Sequence, residues 1–302
     1  MQFRVTLTLA WITTYLLCSC TQSPKQNDQP QLKQQAIYLG EQHTLFSNVL
    51  NQDRELLIYA HSSSSPTNKY IVLYLLDGDD LYFTAIAALK TLSKLWPVPP
   101  ILVVGVKSPA QSRLFELSPS GNGIVPDYLQ TNFGPQLPLG SYGGAPAFLK
   151  FLDTEVVKYV DQHYPNSEQK IWVGHSLSGL ALIDKIINHP TSDSAYILIS
   201  PVLWWQNPAG QTPNDWFQQA IVDSPTNLPL LYIGMGDNEG ADLNNTAMTT
   251  NYLSDANSLK NMFESLEDDI YWTVDILAGE SHMLSPATGL IKGLQFILDK
   301  KE

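Results

Sequence analysis

Cysteine is nearly absent. The 302-residue chain holds two, Cys18 and Cys20, both near the N-terminus. That excludes a disulfide framework, a cysteine-based metal site and a thiol nucleophile for everything downstream. Histidine is also sparse. His43, His61, His163, His175, His189 and His282 are scattered with no His-x-x-x-His pair, so the usual zinc-hydrolase signature is missing. Basic charge is short too: 17 Lys and Arg stand against 29 Asp and Glu, a formal net charge of −12. A phosphate binder needs a clustered Lys/Arg face, so the balance argues against nucleic acid and against an electrostatic hold on anionic lipid. No apolar run reaches the roughly 20 residues that cross a bilayer, and no internal repeat is present.

What is present divides unevenly. Met1-Gln2-Phe3-Arg4 is basic, and Val5 to Leu17 is apolar or weakly polar throughout. A short apolar run behind a basic start reads as a secretory signal. Its end, Leu17-Cys18-Ser19-Cys20, resembles a bacterial lipoprotein signal, which wants a branched apolar residue three before the modified cysteine and a small residue just before it. Cys20 satisfies both; Cys18 does not. Residues 1–19 are therefore expected to be a lipoprotein signal peptide, with Cys20 lipidated, and residues 20–36, rich in Gln, Pro, Ser and Asn, a flexible tether. The remaining domain, residues 37–302, is expected to be exported and held at the bacterial cell envelope through that anchor alone. A plain secretory signal with two incidental cysteines is the alternative.

The domain, within a chain that is 44% hydrophobic, has enough apolar residues for a sizeable core. Tyr70–Leu76 and Ile101–Val106 read as buried strands. Ile171–Val173, Ala195–Ile199, Leu228–Ile233 and Tyr271–Leu277 follow as further strands. Between them, Phe148, Leu149, Leu152, Val156 and Val160 recur at helical spacing, as do Leu180, Ile183, Ile186 and Ile187. This alternation implies a mostly parallel central sheet with helices on both faces, an α/β fold. Ser47 to Ala60, with Asn51-Gln52-Asp53 at a turn, looks like an antiparallel hairpin leading into it.

Gly174-His175-Ser176-Leu177-Ser178-Gly179 lies between a strand and a helix, the context of a nucleophile elbow. The strict Gly-x-Ser-x-Gly pattern is broken at Ser178. A serine nucleophile needs a base, and the base an orienting acid. In this arrangement the chain order is Ser, acid, His. Only His189 and His282 follow Ser176. His189 sits at a helix end beside Pro190, whereas His282 follows the last strand, where a base belongs. Asp237 and Glu239 both follow the preceding strand. Spacing from the Gly234 and Gly236 exits leaves the two open, with Glu239 preferred. For the oxyanion hole, one N–H should come from Leu177. The other should come from the turn Asp77-Gly78-Asp79-Asp80, from Asp79 or, alternatively, Gly78.

These residues carry a family resemblance. The chain resembles the putative-esterase family of α/β-hydrolases, which includes enterochelin (siderophore) esterases and esterase D-like enzymes. The match rests on Ser47–Leu56, Val72–Asp79, Arg113–Pro119, Ser200-Pro-Val-Leu-Trp-Trp205 and Glu280-Ser-His282. It implies Ser176 as nucleophile, His282 as base and Glu239 as acid, with no metal or organic cofactor. Trp204 and Trp205 either line the substrate pocket or belong to the core. Gln206 to Asn227 and a loop from Gly240 to Asp255 are expected to shape that pocket.

The expected activity is hydrolysis of a small-molecule carboxylic ester through an acyl-enzyme. The alternatives are an acyltransferase using the same site and a non-catalytic binding lipoprotein on a hydrolase scaffold. The sequence leaves the ester unidentified. A ferric siderophore is strongly anionic, and a chain at −12 needs a local basic patch to host one.

Overall fold

The computed structural model describes residues 37–61, 69–165, 167–188, 194–223, 229–266 and 272–300. The expected signal peptide and tether, Cys20 included, lie outside the described residues, as does His189. The fold below belongs to the compact unit Leu39–Glu302.

Among the described residues, eight strands form one sheet. They are β1 (Glu41–Ser47), β2 (Gln52–His61), β3 (Tyr70–Leu76), β4 (Ile101–Val106), β5 (Ser167–His175), β6 (Ser194–Ile199), β7 (Leu230–Gly236) and β8 (Trp272–Leu277). Their order across the sheet is β1-β2-β4-β3-β5-β6-β7-β8. β2 runs antiparallel to both its neighbours, β1 at the edge and β4, and every pairing from β4–β3 onward is parallel. This is the mostly parallel sheet of an α/β-hydrolase fold.

The inner strands are near-continuous Val, Ile, Leu and Tyr because both faces are covered. Val72, Tyr74 and Leu76 enter one core, and Ile71, Leu73 and Leu75 the other. Each such leucine, fully buried, contributes roughly 2 kcal/mol. Helices α1 (Gly78–Leu92) and α9 (Ser285–Asp299) cover the second face. The first face is covered by α2 (Arg113–Leu117), α4 (Ala145–Phe151), α5 (Val157–His163), α6 (Leu177–Asn188), α7 (Pro213–Asp223) and α8 (Thr246–Glu264), while the short α3 (Gln130–Phe133) buries no residue. A wide turn, Leu152–Val156, joins α4 to α5.

Three readings of the sequence need correction. The leading hairpin starts earlier than Ser47. Its first strand is Glu41–Ser47, whose polar residues hide the pattern because the strand lies at the sheet edge and is largely exposed. β5 runs from Ser167 rather than Ile171. The expected loop from Gly240 to Asp255 is mostly helix α8. Asn245 caps it, its side-chain oxygen accepting the Met248 N–H at 3.0 Å.

Candidate active site

The parallel strands β3, β5, β6, β7 and β8 all end at the same edge, so the turns that follow them converge there. Three of those strands exit through a non-glycine residue in the left-handed region. They are Asp77 (φ 53°) after β3, Ser176 (φ 59°) after β5 and Ser200 (φ 42°) after β6. Such conformations cost about 1–3 kcal/mol each and cluster at functional sites.

Ser176 stands between the end of β5 and the start of α6. Its N–H donates to the Ile199 carbonyl at 3.1 Å, and its own carbonyl accepts from Leu180 and Val202. The turn is tight enough that a Cβ at Gly174 would lie 2.5 Å from the Ser178 carbonyl oxygen. Ser178, the motif's departure, is fully buried. Its Oγ accepts the His175 N–H and donates to the His175 carbonyl, each at 2.8 Å. The hydroxyl therefore closes the elbow.

His282 Nε2 lies 3.0 Å from Ser176 Oγ, and its Nδ1 lies 2.6 Å from Glu239 Oε2. A carboxylate oxygen accepts, so Nδ1 carries the proton and Nε2 is left to accept from the serine hydroxyl. Glu239 is fully buried. Its other oxygen, Oε1, accepts from the Gly236 N–H at 2.7 Å and the Ser200 hydroxyl at 2.5 Å. Counting the His282 ring, three donors meet this buried carboxylate. The Ser200 hydroxyl also lies 2.8 Å from Ser285 Oγ.

Asp237, the alternative acid, points elsewhere and accepts the Gly279 N–H at 2.7 Å. Together with Asp242, which accepts from Ser281 Oγ and the Met283 N–H, it pins the loop that carries His282.

Leu177 opens α6, and Gly78 and Asp79 open α1. First-turn N–H groups have no carbonyl partner within their own helix. The Asp80 and Leu81 N–H groups return to the Asp77 carbonyl, which leaves those of Gly78 and Asp79 as the outermost donors of α1. In the β3–β5 ladder Leu75 faces Val173. Continuing that register sets the Asp77 turn beside the Ser176 elbow. Gly78 is required there, since a Cβ on it would lie 2.6 Å from Gly105 Cα on β4. Arg113 holds the turn with a bidentate pair, Nε and Nη2 donating to the two Asp77 oxygens at 2.9 and 2.7 Å.

Trp204 is half-buried, and its indole N–H donates to the Tyr252 hydroxyl at 3.2 Å. The Tyr252 ring meets His282 edge-on at 6.0 Å. Trp205 is buried in the core against Tyr142. The two tryptophans therefore divide, one beside the site and one in the core. Ser200, Ser285, His175, Tyr252 and Arg113 went unassigned in the sequence. Ser200 and Arg113 each begin a segment that carries the family resemblance, but a segment does not say what its residues touch.

The sequence profile of the Putative esterase family matches residues 47–271. The ferri-bacillibactin esterase BesA of Bacillus subtilis is 25% identical over 169 residues, 52% of this chain and 56% of that protein. The siderophore triacetylfusarinine C esterase of Aspergillus fumigatus is 27% identical over 139 residues, 45% of each chain. This chain thus spans about half the length of the curated relatives it matches. Among solved structures, an IroE-like serine hydrolase from Shewanella oneidensis superposes with a TM-score of 0.72 at 20% identity, covering 87% of this chain and 81% of that one, a likeness of fold. With the profile running from the leading hairpin to the start of the last strand, well over half its length, this chain belongs to the Putative esterase family of α/β-hydrolases.

Proposed function

We propose that this chain is a serine carboxylesterase working through an acyl-enzyme. The observation that carries the reading is the hydrogen-bonded line from Ser176 Oγ through the His282 imidazole to the buried Glu239 carboxylate. His282 Nε2 takes the serine proton as Oγ attacks the ester carbonyl. Glu239 stays ionised and steadies the imidazolium. The N–H groups of Leu177 and Asp79, with Gly78 as the alternative, hold the oxyanion. The adduct collapses, His282 returns the proton to the leaving alcohol, and a water activated by His282 then frees the acid and restores Ser176.

One curated relative is named a ferri-bacillibactin esterase and the other a siderophore triacetylfusarinine C esterase, so siderophore esters are the first substrates to test. Asp79 and Asp80 are exposed on the turn beside Ser176, and Asp237 and Asp242 flank the His282 loop. Arg113 is committed to Asp77. These charges favour an ester of low negative charge, a metal-free siderophore over its ferric complex. The sequence around Cys20 supports a lipid anchor, and Cys20→Ser should move the protein from the membrane to the soluble fraction.

A fluorophosphonate probe tests the reading directly. It should label Ser176 in folded protein and not Ser176→Ala, and the labelled enzyme should no longer cleave p-nitrophenyl acetate. Folded protein that resists labelling sinks the esterase reading and favours a binding lipoprotein. Product analysis with an added alcohol separates hydrolysis from acyl transfer.

A further inference from the structure

We infer that His175, the residue before the nucleophile, is a positioning residue for the base, its Nε2–H holding the main-chain carbonyl of His282 and so fixing His282 against Ser176. The inference rests on the esterase reading above.

The contact is short and defined. His175 Nε2 lies 2.9 Å from the His282 carbonyl oxygen, with the two rings 4.8 Å apart and tilted by 42°. A carbonyl oxygen only accepts, so Nε2 bears the proton and the tautomer is fixed. The ring stands on a rigid mount, because Ser178 Oγ bridges the His175 N–H and carbonyl. Burial, then the neighbouring His282, push His175 down to about 3. Asp77 and Arg113 are the other charged groups around it. The ring therefore stays neutral at working pH and places no second positive charge beside the His282 imidazolium.

The direction of the contact explains its use. Apart from Ser176 Oγ on the His282 ring, the other hydrogen bonds named on the His282 loop come from the exit of β7 or from α9. Asp237 and Asp242 hold its backbone and Ser281, Glu239 holds the His282 ring, and Ser285 Oγ donates to the His282 carbonyl at 3.0 Å. His175 reaches the same carbonyl from β5, the strand that carries Ser176. It thus fixes base to nucleophile without passing through the reacting atoms. A misplacement of about 1 Å between such groups lowers rates on the order of a hundredfold.

Substitution separates positioning from folding. His175→Phe fills the space without a donor, and His175→Gln restores an N–H at about the reach of Nε2. With p-nitrophenyl acetate, His175→Phe should lower kcat by about 10- to 100-fold. KM should stay within about twofold. His175→Gln should recover most of the loss. A Phe variant with wild-type kcat, or a folded Gln variant as slow as Phe, overturns the inference. If Phe fails to fold, His175→Asn, whose amide falls short of the carbonyl, takes its place and should be slow where Gln is fast. Nitrogen-15 imidazole spectra of the wild type should show a neutral, Nε2-protonated His175 from about pH 5 to pH 8. An Nδ1–H tautomer or an imidazolium there overturns it. That spectrum is readable in protein without activity, so absent labelling and turnover in the wild type would count against the esterase reading alone.

Discussion

Glu239 takes the Nδ1–H of His282 at 2.6 Å from a fully buried position, while Asp237, two residues earlier on the same turn, takes the Gly279 N–H at 2.7 Å. One carboxylate orients the imidazole and the other holds the loop that carries it. Glu239→Gln should therefore lower kcat for p-nitrophenyl acetate by about 10²- to 10⁴-fold. Asp237→Asn should leave kcat within about threefold and lower the melting temperature by a few degrees. The reverse ranking would exchange their roles.

Ser176→Ala and His282→Ala should each remove turnover to a similar depth, on the order of 10⁴-fold or more, and the double variant should lose little beyond either single one. Additive losses would mean that the two side chains do not act as a unit.

Ser200 supports Glu239 from behind. It is buried, strained at φ 42°, and gives its hydroxyl proton to Glu239 Oε1. Ser200→Ala leaves that oxygen with one donor instead of two. Stability should drop by about 1–2 kcal/mol, and kcat should fall about tenfold. Denaturant melts and kcat on the same preparation check both; an unchanged kcat would assign Ser200 to folding alone.

Two groups set opposing slopes of stability against pH. Burial raises Asp255 to about 6, above the ordinary carboxyl near 4. The folded state holds that proton more tightly, so this group's stability is full below about pH 4 and is lost as pH rises to about 6. His175, lowered to about 3, runs the other way: its stability is full above about pH 6.5 and is lost as pH falls toward about 3. Asp255→Asn should stabilise the protein near pH 7 by on the order of 1 kcal/mol, after allowance for partial exposure, with no gain near pH 4. His175→Gln should flatten the acid-side loss. Urea melts across that range read both.

The elements most legible in the sequence were those whose pattern repeats a simple physical rule. Tyr70–Leu76 and Ile101–Val106 read as strands because both faces are covered, which makes every position apolar. Leu177–Asn188 read as a helix from its apolar spacing. β1 and α8 did not. An edge strand satisfies only one face, and α8 is a polar helix whose start rests on one asparagine cap.

Chain order and local pattern by themselves determined the parallel sheet, the elbow at Ser176 and the two residues that could serve as the acid, because strand, turn and helix signals are local. Only the tertiary structure separates Glu239, which meets the His282 ring, from Asp237, which meets Gly279. Both stand in one short turn, and what separates them is which way each side chain faces once β7 and β8 are paired. The same holds for His175 and Ser200. Their partners lie 107 and 39 residues away in the chain. Such contacts exist only after the sheet has brought its strand ends to one edge.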